Sequence, residues 1–140
     1  MPRLNALLCL LSLAFSAVAT AAAPVAAIDM NGRTALVTGS TSGLGEVVAR
    51  RLGRMGATVI VHGLDESRGR AIAAEITAAG PGRATFQPGD LSSLEEVRQL
   101  AARIRAAHPR LHLLINNAGI LGRTGDPRRE SRDGHELTFA

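Results

Sequence analysis

The sequence contains no Tyr, no Trp and no Lys, and a single Cys. With three Phe as the only aromatic residues, a core has to be assembled from Ala, Val, Leu and Ile. Small aliphatic residues of this kind suit a parallel sheet buried on both faces. The lone Cys9 excludes a disulfide or a cysteine metal site within one chain. All sixteen basic residues are Arg and are spread along the chain rather than clustered. A net charge of +4 without a basic stripe or interleaved aromatics excludes the groove that single-strand nucleic-acid binders use, so the Arg side chains read as solvated surface. What is present is enough for one domain: 140 residues, 46% of them hydrophobic.

Residues 1–29 stand apart. Arg3 is followed by an uncharged run from Leu4 to Thr20 and an alanine-rich stretch closing at Pro24. This reads as a signal peptide or membrane anchor, with small residues at Ala17-Val18-Ala19 and Thr20-Ala21-Ala22 for cleavage and no twin-Arg pair before the apolar run. Translation from Met1 then implies export or anchoring. Translation from Met30, just ahead of the first strand, gives a cytoplasmic domain. The second unit is residues 30–140.

From Arg33 onward short β-branched runs alternate with amphipathic stretches, the pattern of an α/β fold with a parallel sheet between helices. Strands are expected at 34–38, 58–62, 83–87 and 111–116. Helices are expected at 44–54, 66–79 and from Ser92 or Ser93 to about Ala107. Leu44, Val47, Val48 and Leu52 share one side of the first helix, Gly56 ends it, and Asp65 caps the second. Ser93 with Glu96 has the spacing of a capping box. Residues 119–134 read as a polar surface loop, and 136–140 as the start of a helical segment.

The strongest local feature is the loop Gly39-Ser40-Thr41-Ser42-Gly43-Leu44-Gly45, entered from a strand and left by a helix. Glycines let the backbone approach a ligand closely, and a helix N-terminus offers free N–H groups to an anion, so the loop is read as a pyrophosphate cradle. It lacks the Lys of a P-loop, which excludes a nucleoside triphosphatase.

Four segments in order carry a resemblance: Thr38 to Gly45, Asp90-Leu91-Ser92-Ser93, Asn116-Asn117-Ala118-Gly119 and Asp133-Gly134-His135-Glu136. They resemble the short-chain dehydrogenase/reductase family, the last one its retinol-dehydrogenase-like branch. The resemblance implies a doubly wound Rossmann sheet of order 3-2-1-4, here reaching about four strands, and binding of NAD(P) at the C-terminal ends of the strands. It implies that Asp90, beside Leu91, accepts from the adenine amino group, with a helix cap as the alternative role. It implies that Asn116 and Asn117 hold strand and loop backbones while Ala118 and Gly119 admit the ribose. At the end of strand two, Gly63 stands where NAD-preferring relatives carry an acid and Leu64 where an Arg is frequent. The missing acid leans towards NADP, and Arg68 reaches the 2′-phosphate only if its loop turns inward.

Relatives transfer hydride with a Tyr, a Lys four residues on and a Ser, all beyond strand four. No Tyr or Lys occurs here, so no catalytic residue is assigned and the chain alone is expected to be inactive. His62, His108, His112 and His135 share no face and no carboxylate partner, and read as surface or structural residues; no metal site is expected. The expected function is that of an oxidoreductase for an alcohol or carbonyl substrate, represented by its cofactor-binding half. A sequence stopping at strand four would leave Leu111, Leu113 and Ile115 on an open edge, so a partial gene product is expected. The alternative is a non-catalytic dinucleotide-binding module.

Overall fold

The computed structural model describes residues 28–120, 125 and 127–139. The leader expected over 1–29 lies outside the described residues except for Ile28 and Asp29. Among the described residues no helix is long and apolar enough to cross a membrane. The elements run β1 (Thr34–Val37), α1 (Gly43–Arg54), β2 (Thr58–Gly63), α2 (Glu66–Ala79), β3 (Arg83–Pro88), α3 (Leu94–Ala107) and β4 (Leu113–Ile115), followed by a 3-10 turn, Leu137–Phe139. All strand pairs are parallel and the order is β3-β2-β1-β4. Every strand and helix expected from the sequence is present. The fourth strand is shorter than expected, since only Leu113 to Ile115 pair with Ala35 to Val37.

Alternation along the strands divides the sheet into two faces. Ala35, Val37, Val59 and Val61 pack with Leu113 and Ile115 against α1 and α2, where Ala49, Leu52, Ile72, Ala73 and Ile76 complete the larger core. Leu36 and Ile60 face the other way, onto Leu100 and Ile104 of α3. β4 lies at the edge of the sheet, as expected, and Leu111 before it is exposed, but Leu113 and Ile115 point into the main core, while Leu114, on the α3 side, is half-open.

Helix α1 also differs from expectation. Leu44 and Val47 are exposed, and the face against the sheet is Gly45, Ala49, Leu52 and Gly53. Gly45, Ala49 and Gly53 recur every four residues, one above the other on a helix, so the backbone rather than long side chains meets its neighbours. A Cβ on Gly53 would overlap the Ile76 side chain of α2. Hydrophobic spacing placed Val48 and Leu52 correctly on the core side but not Leu44 and Val47, because close packing here favours the smallest residues.

Local signals set the other ends as read. Met55 caps α1, and Gly56 follows it with φ +94°. Asp65 accepts from the Arg68 N–H at 2.9 Å, and Ser93 Oγ accepts from the Glu96 N–H at 3.4 Å. The reciprocal half of the capping box is not made. Glu96 instead accepts from the Asp90 N–H at 2.8 Å and from Arg132 at 2.8 Å. The described part of the expected surface loop is a bridged turn, Glu130 pairing with Glu136, that docks on α3 through Asp133, which accepts from the Leu94 N–H at 2.7 Å.

Candidate nucleotide-binding site

The C-terminal ends of all four strands open on one side, where β1 runs into the glycine loop. Thr38 turns the chain out of the strand, and Gly39 follows with φ +62°. That conformation favours glycine, and space demands it as well, since a Cβ there would stand 2.8 Å from Ala118 Cα. Ser40 is fully buried and donates to the Val37 carbonyl at 2.7 Å, folding the loop back on its strand. Thr41 is half-buried, while Ser42, Gly43 and Leu44 are exposed.

Gly45, in the first turn of α1, is pressed on two sides. A Cβ there would overlap the Asn117 side-chain amide and the Gly39 carbonyl. Asn117 donates from Nδ2 to the Thr38 and Gly39 carbonyls at 3.0 and 3.2 Å. The Thr38 hydroxyl accepts from the Asn117 and Ala118 N–H groups, both at 3.0 Å. The expected backbone-holding role therefore falls to Asn117, while Asn116, Ala118 and Gly119 are exposed along the opening.

The N-terminus of α1 is left without a side-chain cap, Ser42 making no such bond. Helices α2 and α3 are both capped by side chains. Uncapped N–H groups behind a glycine turn are what an anion at a helix N-terminus requires.

At the end of β2, Gly63 is buried and a Cβ would approach the Thr41 side chain to 2.6 Å. A side chain at position 63 would require Thr41 to shift. Leu64 beyond it is 72% exposed. Arg68 pairs with Glu46 of α1 at 2.9 Å, and Glu46 also holds Arg50. The Arg68 hydrogen bond, with help from Arg50 and against some desolvation, keeps the Glu46 carboxyl below its ordinary range.

Asp90 follows β3. Its Oδ1 accepts from the Ser92 N–H at 2.9 Å, and Arg132 stands 4.0 Å away. The hydrogen bonds from Ser92, and secondarily the Arg132 charge, hold its carboxyl below the usual range. The alternative role of Asp90 as helix cap is not realised, because Ser93 is the cap. Leu91 beside it is half-buried and packs on the smaller core. A concavity of about 640 Å³ lies further out along β3 and α3, lined by Gln87, Pro88, Gly89, Glu96, Gln99 and Arg103, and none of the glycine-loop residues enters it.

Two histidines are structural, as expected. His112 Nδ1 accepts from the Thr34 N–H at 2.9 Å. His62 is 2% exposed and its Nδ1 accepts from the Gly39 N–H at 3.4 Å. The position next to Gly63 gave a hint of its placement, but the sequence did not reveal the bond into the loop. Burial, foremost, lowers its pKa below the ordinary 6.5. The unfolded chain then binds this proton at a higher pH than the folded one does, so the contribution to stability is complete above 6.5 and is lost as pH falls below it. Urea titrations at stepped pH should show the midpoint falling from neutral to mildly acidic conditions, with most of the fall absent in His62→Asn. An unchanged slope in that variant would remove His62 as the cause.

Residues 33–137 match the sequence profile of the family described as short chain dehydrogenase. The chain is 47% identical over 106 residues to a polyprenol dehydrogenase of Mus musculus, covering 75% of this chain and 31% of that protein. It is 36% identical over 121 residues to retinol dehydrogenase 14 of the same organism, covering 79% and 35%. A metagenomic short-chain oxidoreductase solved in complex with NADP superposes with a TM-score of 0.65 at 41% identity, covering 70% of this chain and 43% of that one. The chain thus spans 31% and 35% of the length of these two curated relatives.

Proposed function

Because the chain belongs to the short-chain dehydrogenase family, we propose that it binds a dinucleotide across the ends of β1 to β4, with NADP preferred to NAD, as the cofactor part of an oxidoreductase for an alcohol or carbonyl substrate. The observation that carries this reading is the uncapped N-terminus of α1 behind a glycine loop that Asn117 locks from β4. Gly39 and Ser40 to Gly45 would hold the pyrophosphate, Asp90 and Leu91 the adenine, and Asn117, Ala118 and Gly119 the ribose of the nicotinamide half. The bound nicotinamide would supply the hydride-accepting or hydride-donating carbon. The chain's own residues bind and orient it. With neither Tyr nor Lys in the sequence, these 140 residues bind without turnover.

The preference for NADP rests on Gly63, which leaves the end of β2 without a ribose-binding acid, and on Arg68, whose guanidinium a 2′-phosphate could share with Glu46. The NADP complex of a solved relative supports the same choice. The two relatives' names specify a polyprenol and retinol, which supports an alcohol or its carbonyl product as substrate of the whole protein. Export or anchoring through residues 1–29 is a separate part of the proposal and rests on the apolar leader alone.

Titration of the chain with NADPH and with NADH, followed by cofactor fluorescence, tests the reading. Saturable binding is expected with both, about tenfold tighter for NADPH, and Arg68→Ala should remove most of that difference. Failure of a folded chain to bind either cofactor would overturn the proposal.

A further inference from the structure

His62 makes four connections from β2 to the glycine loop, one of them a longer bond from Ser40 Oγ to its carbonyl at 3.5 Å. Its N–H donates to Ser40 Oγ at 3.0 Å, its carbonyl accepts from the Ser40 N–H at 2.8 Å, and its Nδ1 accepts from the Gly39 N–H at 3.4 Å. The side chain is buried, and Nε2 has no hydrogen-bond partner among the described residues. That nitrogen faces Gly89, whose Cβ position lies 3.4 Å from it. Gly89 precedes Asp90. The ring therefore stands between the turn that opens the phosphate loop and the residue before the carboxylate proposed for adenine.

A buried polar atom without a partner is destabilising, and an aliphatic side chain in the middle of this sheet would avoid it. What the imidazole supplies and an aliphatic group cannot is the acceptor for Gly39. Accepting at Nδ1 places the proton of the neutral ring on Nε2. A second proton would put an N–H on Nδ1 directly against the Gly39 N–H, two donors without an acceptor between them. The Gly39 peptide would then have to rotate, and with it the N–H groups of the loop that follows.

We propose that His62 is a positioning residue for the cofactor: the neutral ring fixes the Gly39 peptide so that the loop N–H groups stay turned towards the pyrophosphate, and protonation of the ring weakens dinucleotide binding. The proposal rests on the cofactor reading given above. The charged group that bears on the ring is Arg103 of α3, which, like burial, favours the neutral form, while the Gly89 backbone next to Nε2 favours the charged one and is outweighed by burial. The residues facing it from the ends of β1 and β3, namely Gly39, Ser40 and Gly89, carry no charge.

Nitrogen-15 NMR of the free chain reads the bond without cofactor. His62 should carry its neutral-state proton on Nε2, and the Gly39 amide should shift with the titration of that ring between about pH 8 and about pH 5. Calorimetric titration with NADP⁺ at the two ends of that range then reads the consequence. Wild type should bind more weakly at the acid end than His62→Asn, which retains an acceptor near Nδ1 but cannot be protonated, while the two should agree at the alkaline end. His62→Leu should bind about tenfold more weakly than either at the alkaline end. Comparison at equal pH cancels the cofactor's own titration. A neutral ring protonated on Nδ1, or a Gly39 amide indifferent to its titration, overturns the positioning role alone. Equal affinities of wild type and His62→Asn at both ends do the same. A free chain that shows the expected tautomer and coupling yet binds no NADP⁺ overturns the cofactor reading and the role built on it.

Discussion

Gly45→Val should abolish measurable dinucleotide binding and lower the melting temperature by roughly 5–15 °C, corresponding to an overpacking penalty of about 1–3 kcal/mol. The reason is that neither neighbour can yield. The added carbon would fall on the Gly39 carbonyl and on the Asn117 amide that holds this same carbonyl, so relief on one side removes the hydrogen bond on the other. Gly43→Ala provides the contrast. Gly43 has φ +55° but nothing within 4 Å of a Cβ, so its substitution carries only the backbone penalty of about 1–2 kcal/mol. Fluorescence titration and thermal melts of the two variants check this; wild-type affinity in Gly45→Val would remove the loop geometry as the basis of the site.

Thr38→Val should cost about 1–3 kcal/mol, read as a lower urea midpoint, although the two side chains have the same shape. One hydroxyl, in a residue only 6% exposed, accepts from two backbone N–H groups and donates to the Ile115 carbonyl at 3.3 Å. Valine leaves the Ala118 N–H without this acceptor and the Asn117 N–H with only its second bond, to the Ile115 carbonyl at 3.0 Å, and an orphaned donor costs about 1–3 kcal/mol. Thr38→Ser keeps the hydroxyl and should lose only about 1 kcal/mol with the methyl group. Equal destabilisation by Val and Ser would show that the hydrogen bonds contribute nothing net.

Thr38 illustrates what the sequence disclosed and what it concealed. Periodicity and caps were enough to place each strand and helix, because alternation of small aliphatic residues and the Asp65 and Ser93 signals act within a few positions. The resemblance of Thr38 to Gly45 and of Asn116 to Gly119 marked both halves of the site. Their joining through one hydroxyl and one amide depends on β1 and β4 lying side by side, which no local pattern encodes. The same limit explains the errors. Leu44 and Val47 looked like a core face because hydrophobic spacing cannot tell that Gly45, Ala49 and Gly53 let α1 sit closer to its neighbours. Glu96 looked like half of a capping box because Arg132, which recruits it, lies 36 residues away. The burial of His62 and its bond to Gly39 had no sequence signature beyond its place before Gly63.

Contacts between β1 and β4 span 77 to 80 residues of chain at Thr38. Closing so long a loop is entropically expensive, by an amount that grows only with the logarithm of its length, and nothing returns that entropy until the strands meet. The phosphate loop can form its turn from β1 and β2 alone, through the bonds between Ser40 and His62. The side proposed for the ribose cannot exist before β4 docks. A nascent chain would thus acquire the proposed cofactor site in two stages, and ligand present during synthesis would stabilise the product of the second stage, where β1 and β4 first come together.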